Sequence, residues 1–482
     1  MPTTALRSSS AESSGLVQGL GFIPATAIVV STIVGSGVFL VASAMAQATG
    51  SLRIILAAWA LGAVIALCGA FCFAELGAAL PEAGGLYIYL TRALGPLWGF
   101  LFGWMNSIVA LPVAVAALAA AFVRFAGFIF PAMIAPWLTF HFASHVFTLS
   151  KAEPSAAAVV LLLTALNYLS VRVGGAVQLI CSVIKVGSVV AIVIAGIFFA
   201  KPAAYLVSHP AALGIGGTLT TLVLALVPVM WAFNGIQNLG YMGAEIRNPA
   251  KNIPRALLCG ILIVSILYFL ANFTYFRVLS VSQVASSQHV ASDVMQLVIG
   301  SGSAIWLTVA IAISVLATLH AVIMTEARIP YAMAHRGLFF KLAGRLQPRF
   351  RSPSGALLLI GTLGMLMALT GTFEELFSLY IFVMWIFFAL GGLAVIRLRA
   401  TEPDLPRPYR AWAYPLTPII FAVADLAVTV SLWIAHPIRS SLGLLLILAG
   451  IPFYAYWRRN QVATPPSLEK PMPPLEEPTP AL

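Results

Sequence analysis

Apolar runs of about 20 residues or more, with polar residues gathered between them, recur along nearly the whole chain; each is long enough to cross a hydrocarbon core of about 30 Å as a helix. Twelve spans are expected, over residues 19–47, 52–79, 97–130, 155–171, 174–200, 217–243, 256–279, 301–327, 354–371, 375–398, 411–435 and 439–457. Strands of a membrane barrel would be about half as long and would alternate. The pattern therefore predicts an all-α membrane protein. Residues 1–18 read as a cytoplasmic N-terminal tail and residues 458–482, with Thr464-Pro465-Pro466 and Met472-Pro473-Pro474, as a disordered C-terminal tail.

Two spans are interrupted at mid-depth. The first carries Thr32-Ile33-Val34-Gly35-Ser36-Gly37-Val38-Phe39, and the sixth carries Trp231-Ala232-Phe233-Asn234-Gly235-Ile236-Gln237-Asn238. A lipid-exposed break leaves backbone N–H and C=O groups unpaired at several kcal/mol each, so a break faces protein, water or a ligand. The breaks open two successive blocks of five spans, residues 19–200 and 217–398, and an odd number of spans inverts the second block relative to the first. Matching Gly-interrupted segments in inverted halves point to a secondary transporter with its site at the repeat interface. The last two spans, within residues 399–457, lie outside the repeat.

Unwinding exposes N–H donors of one half-helix and C=O acceptors of the other, and a zwitterion satisfies both. The N–H groups around Ser36, Gly37 and Val38 are candidates for a carboxylate. The carbonyls of Ile33, Trp231 and Asn234 are candidates for an ammonium group. Gly35 and Gly235 supply backbone freedom and close approach. The competing reading is that Gly35 and Gly37 serve helix packing, which does not predict a second break at the matching position. Gly99 and Gly103, spaced as GxxxG, read as packing.

Composition agrees with this picture: 61% of residues are hydrophobic and 9% charged. The net charge of +11 is mainly a topology signal. With both termini cytoplasmic, most Lys and Arg fall inside, and only Arg53, Arg124, Lys151, Lys201, Arg277 and Arg439 fall outside. The expected surroundings are membrane lipid of a cell inner membrane, with no nucleic-acid partner. The 4 cysteines all lie in apolar spans, which argues against disulfides. No cofactor or metal is expected; His141 and His145 have ligand spacing if helical but lack the Glu of a zinc hydrolase. Nor does the chain carry a metalloprotease or nucleophile-elbow motif, so it is not read as an enzyme.

Lys185 lies about 11 residues into its span, about 16 Å from water, and an ionisable residue at such depth is functional by default. The sequence leaves open whether it is a charged strut or a proton carrier. His320 reads equally as a pathway residue or a satisfied core histidine, and Asn234 as a pocket residue or a cap. Glu75 and Glu326 are candidates for gate-side pairs with Arg328 and Arg247. Residues 81–92 form an amphipathic cytoplasmic segment.

The first break, the second break and the loop Glu245-Ile246-Arg247-Asn248-Pro249-Ala250-Lys251-Asn252-Ile253-Pro254-Arg255 together resemble the amino acid-polyamine-organocation transporters. Over residues 17–457 the chain is most similar to bacterial relatives of the L-type amino acid transporters. The resemblance implies a LeuT-like fold with a 5+5 inverted repeat, twelve helices and broken helices one and six. It implies a substrate carboxylate at Ser36 and Gly37, an amine at the Ile33, Trp231 and Asn234 carbonyls, and Trp231 closing over the ligand. In this family a lysine on the fifth span takes the volume where sodium-coupled relatives bind sodium. Lys185 matches it, with carbonyls near Gly35 and groups around Ser314 as partners. Gln237 stands where some cationic-substrate members carry Glu, which favours neutral substrates.

The expected function is sodium-independent exchange of neutral L-amino acids by alternating access. Proton-coupled import and cationic amino acid or polyamine antiport are the alternatives. Eukaryotic members link to a heavy chain through an exterior cysteine between spans three and four; residues 131–154 contain none, so no disulfide-linked heavy chain is expected.

Overall fold

The computed structural model describes residues 15–35, 37–142, 145–169, 171–199, 215–287, 289–300, 302–370 and 373–461. The first span is split, as its glycines predict, into α1 (Phe22–Ile33) and α2 (Gly37–Thr49). There follow α3 (Leu52–Ala79), the amphipathic α4 (Leu86–Leu94), α5 (Pro96–Met105) and α6 (Leu111–Ile129). A π-helical turn at Asn106–Ala110 joins α5 to α6. Pro112 cannot donate the backbone bond that an uninterrupted helix needs there, and the ladder widens instead.

A hairpin of β1 (Pro136–Phe142) and β2 (His145–Ser150) precedes α7 (Ala152–Leu169) and α8 (Val171–Phe198). His141 pairs with Val146 and His145 with Phe142, so the segment is antiparallel strand rather than helix. Among the described residues no group of three potential metal ligands occurs.

The sixth span breaks between α9 (Ile215–Ala232) and the short α10 (Asn238–Tyr241). Beyond it lie α11 (Pro249–Val278), α12 (Val281–Ser286), α13 (Val290–Ile299), α14 (Ser303–Glu326) and α15 (Arg328–His335). The chain closes with α16 (Ser354–Thr370), α17 (Phe373–Thr401), α18 (Leu416–Ala435), α19 (Pro437–Leu448) and α20 (Gly450–Gln461). The short helices α12 and α13 lack a membrane-length apolar run and are absent from the predicted elements.

Among the described residues, 9 helical stretches are long and apolar enough to cross a membrane. The shorter apolar helices include Phe22–Ile33, Thr220–Ala232 and Ser354–Thr370. A 12-residue piece such as α1 rises only about 18 Å, and by helix length the described residues give 9 spans against the expected twelve. The molecule is a multi-pass helical membrane protein.

The core gathers around α1. That helix packs on α8, α11 and α14, and α9 packs on α2 and α3. Outward faces carry exposed Leu, Ile, Val and Phe, as Leu162, Ile180, Val183 and Ile266 illustrate. This is the polarity expected of helices whose solvent is lipid.

Candidate functional site

The two breaks meet. At Gly235 the backbone has φ +116°, and a Cβ there would lie 2.8 Å from Thr32 O. Only glycine combines that conformation with so close an approach. The Thr32 hydroxyl reaches Gly235 O at 3.2 Å. The Tyr268 hydroxyl, from α11, lies 2.9 Å from Ile33 O and 3.2 Å from Ala232 O, donating its one proton at the C-terminal ends of both α1 and α9. Tyr268 was invisible to motif reading, because a tyrosine in an apolar span is common and nothing in its neighbours marks it.

Between the breaks is a cavity of about 90 Å³, lined by residues of both breaks together with Ala114 and Leu118 of α6 and Thr318, Val322 and Glu326 of α14. Of the predicted binding residues, Ile33, Gly35, Gly37, Trp231, Asn234 and Gly235 line it. Val38 is fully buried and does not line it. Ser36 lies outside the described residues. The Trp231 ring packs over Gly37, where a Cβ would meet Cζ3 at 3.4 Å.

The predicted carbonyls have internal partners: Ile33 O accepts from Tyr268, and Trp231 O accepts from the Asn234 N–H at 3.1 Å. Asn234 both lines the cavity and accepts at Oδ1 from Gln237 Nε2 at 3.1 Å. Gln237 returns Oε1 to the Gly235 N–H at 3.3 Å. The capping of the second break thus belongs to Gln237.

Lys185 is fully buried. Its ammonium donates to Ser31 O at 2.8 Å, Val34 O at 2.7 Å and Thr318 Oγ1 at 2.7 Å. An ammonium has three donors, and all three are used. Two of the acceptors are the last carbonyls of α1, the negative end of its dipole. Ser314, the predicted neighbour, approaches Val34 O only at 3.5 Å, and Thr318 one turn on takes the lysine.

Gln178, Ser182 and Lys185 occupy one face of α8, at i, i+4 and i+7. Ser182 bonds Ser31 Oγ at 2.6 Å and Ala27 O at 2.8 Å, and Gln178 donates to Ala317 O at 3.0 Å. This polar stripe stitches α8 to both α1 and α14; its spacing was legible but only its lysine was singled out. His320 sits at the α8–α14 interface, with Nδ1 2.5 Å from Gln178 Nε2, and is not in the cavity wall.

The predicted gate pairs are re-sorted. Arg328 pairs with Glu245 at 2.6 and 2.9 Å, both groups buried. Glu75 binds Arg399 at 2.9 and 2.6 Å and lies 3.4 Å from Arg407. Arg247 reaches Gln18 O at 3.4 Å. Among the described residues no arginine pairs with Glu326: Asn106 Nδ2 donates to it at 3.0 Å and Asn238 Nδ2 at 3.4 Å. The Glu245 backbone carbonyl also accepts from Gly19 and Leu20 at 3.1 Å each, tying the entry of α1 to the exits of α10 and α14. Asp425 is fully buried between helices away from the cavity.

A cavity lined by the ends of two interrupted helices, beside the Thr318 that holds Lys185, is the arrangement expected of a transporter's binding site rather than of a channel. The model of one family, described as amino acid permease, matches residues 20–455, and the chain belongs to that family. It is 29% identical over 455 residues to the serine/threonine exchanger SteT of Bacillus subtilis (strain 168), covering 94% of this chain and 99% of that protein. It is 29% identical over 455 residues to the b(0,+)-type amino acid transporter 1 of Mus musculus, covering 93% and 89%. The human cystine/glutamate transporter matches at 26% over 427 residues, covering 89% and 82%. These relatives are named as transporters or exchangers.

Proposed function

We propose that the protein exchanges neutral L-amino acids across the cell inner membrane without sodium, by alternating access of two inverted five-span repeats. In this reading residues 19–200 and 217–398 are the repeats, residues 399–457 add two further spans to make twelve, and both termini are cytoplasmic. The substrate carboxylate meets the N–H groups of Ser36, Gly37 and Val38. Its ammonium meets the Ile33, Trp231 and Asn234 carbonyls.

The observation that carries the proposal is the saturation of Lys185 by Ser31 O, Val34 O and Thr318 Oγ1. These are the hard oxygen ligands a sodium ion would need, and a second cation beside the ammonium meets charge repulsion. Gln237 supports a neutral substrate, since its amide is spent on Gly235 and Asn234 and brings no charge to the break. The exchanger among the relatives supports exchange. Residues 131–154 offer no cysteine for a disulfide-linked heavy chain, so the carrier is proposed to act without one.

The test is uptake of a labelled neutral amino acid into proteoliposomes in sodium-free buffer. Uptake is expected only with unlabelled amino acid inside. Uptake into empty vesicles driven by a sodium or pH gradient overturns the proposal.

A further inference from the structure

We infer that Glu326 recognises the substrate's side chain, accepting a hydrogen bond from an O–H or N–H group and so favouring donor-bearing amino acids over apolar ones of the same shape. The inference rests on the reading of the cavity as the amino acid site. Thr318, Val322 and Glu326 fall at i, i+4 and i+8, one stripe of α14 that faces the cavity. Thr318 closes the end that holds Lys185 and the first break. Glu326 is two turns on, about 12 Å along the axis at its Cα, and its side chain leans back toward the helix N-terminus.

The surroundings of Glu326 are rich in acceptors and short of donors. Its carboxylate, in a residue only 6% exposed, takes one bond from Asn106 and one from Asn238, while a carboxylate has about four acceptor places. The nearest arginine along the chain, Arg328, spends its guanidinium on Glu245 and Met324 O. Among the described residues no cation lies within ion-pair distance of Glu326. The two asparagines add to the deficit: Asn106 Oδ1 and Asn238 Oδ1 are both buried without a hydrogen-bond partner.

Buried acceptors left unpaired are costly, so a ligand that brings a donor binds better than one that does not. Asn238 and Glu326 line the same small cavity as Gly235 and Trp231, which puts this cluster within reach of a substrate seated on the breaks. A side-chain carboxylate would meet like charge there and is disfavoured.

The test compares isosteric pairs, threonine against valine and serine against alanine, with lysine as a third arm, for exchange in proteoliposomes. The wild type is expected to favour threonine over valine by about 10-fold or more in kcat/KM, the range of a hydrogen bond to a charged group. Glu326→Ala is expected to bring that ratio to within about 2-fold, chiefly through the KM for threonine, and Glu326→Gln, which keeps an acceptor, to retain part of it. Thermal-shift binding by the detergent-purified variants gives the same comparison without transport. An unchanged ratio in Glu326→Ala overturns the inference. So does equal loss of threonine and valine, which would put Glu326 on the α-ammonium shared by both. Lysine favoured over threonine, with the preference lost in Glu326→Ala, supports the role of Glu326 and overturns the neutral-substrate proposal instead.

Discussion

Lys185 and Glu326 are both buried ionisable residues touching the α14 wall, and they differ in how far the protein itself satisfies them. The ammonium of Lys185 uses every donor on protein oxygens, two of them at the C-terminal end of α1. The carboxylate of Glu326 receives two amides, and the amide oxygens beside it receive nothing. A group completed by its own fold holds neighbours in place; one left incomplete at a cavity wall has capacity for a ligand. Helix α14 thus meets the saturated ammonium of Lys185, carried by α8, through Thr318 at one end of the cavity, and places the under-satisfied carboxylate of Glu326 at the other.

The largest effect is expected at the strut. Lys185→Ala removes the ammonium from Ser31 O, Val34 O and Thr318 Oγ1, and each buried acceptor left short of a donor costs about 1–3 kcal/mol. Exchange should fall by about 100-fold or more, with substrate-induced thermal shift affected less than turnover. Retention of wild-type exchange would show that the strut has no part in the cycle.

Next comes the contact between the breaks. Gly235→Ala forces a Cβ to 2.8 Å from Thr32 O at φ +116°, an arrangement costing about 1–3 kcal/mol. A drop of several degrees in melting temperature and weakened substrate binding are expected. A variant that melts and binds normally would mean the breaks do not need this approach.

A smaller effect sharpens which side chain of α14 completes Lys185. Thr318→Val, which removes the 2.7 Å acceptor, should cost about 1.5–3 kcal/mol, the range of a bond to a charged group. Ser314→Ala should change exchange by less than about 2-fold, because its contact with Val34 O is 3.5 Å long. Equal effects at the two positions would break the assignment.

The smallest effect belongs to a charge pair far from the cavity. Arg92 donates to Glu402 at 2.7 and 2.9 Å, and this hydrogen-bonded guanidinium holds the Glu402 carboxyl below its usual value. A lowered carboxyl contributes stability above its unfolded value, about 4.3, that is lost as the pH falls through the folded one. The pair is solvent-exposed, so screening keeps its worth under about 1 kcal/mol. Arg92→Ala should lower the melting temperature slightly at pH 7 and by progressively less as the pH falls below about 4.3, as measured by differential scanning fluorimetry.

Reading the chain as a sequence located both breaks, Lys185 and nearly every membrane-length helix, because glycine in an apolar run, a lone ammonium at mid-depth and hydrophobic length are local signals. The partners were harder. The groups around Ser314 are legible as partners of Lys185, but that Thr318 one turn on makes the contact is not, since residues one turn apart on α14 present the same face and only the packing of α1 chooses between them. Arg328 and Arg247 are candidates in sequence for Glu75 and Glu326, and in the fold Arg328 turns to Glu245, 83 positions distant in sequence. Gln178, Ser182 and Tyr268 make ordinary contributions to composition and acquire meaning only through what they touch.

By itself, then, the sequence determined that this is a helical membrane protein with two interrupted spans and a buried lysine, because hydrophobic length, helix-breaking residues and charge burial are properties of a segment. Only the tertiary structure decided that the two breaks share one cavity, that Lys185 is complete, and that Glu326 stands at the cavity wall short of donors. Those facts depend on distances between segments far apart in sequence. Hydrogen-bond satisfaction is a count of neighbours in space.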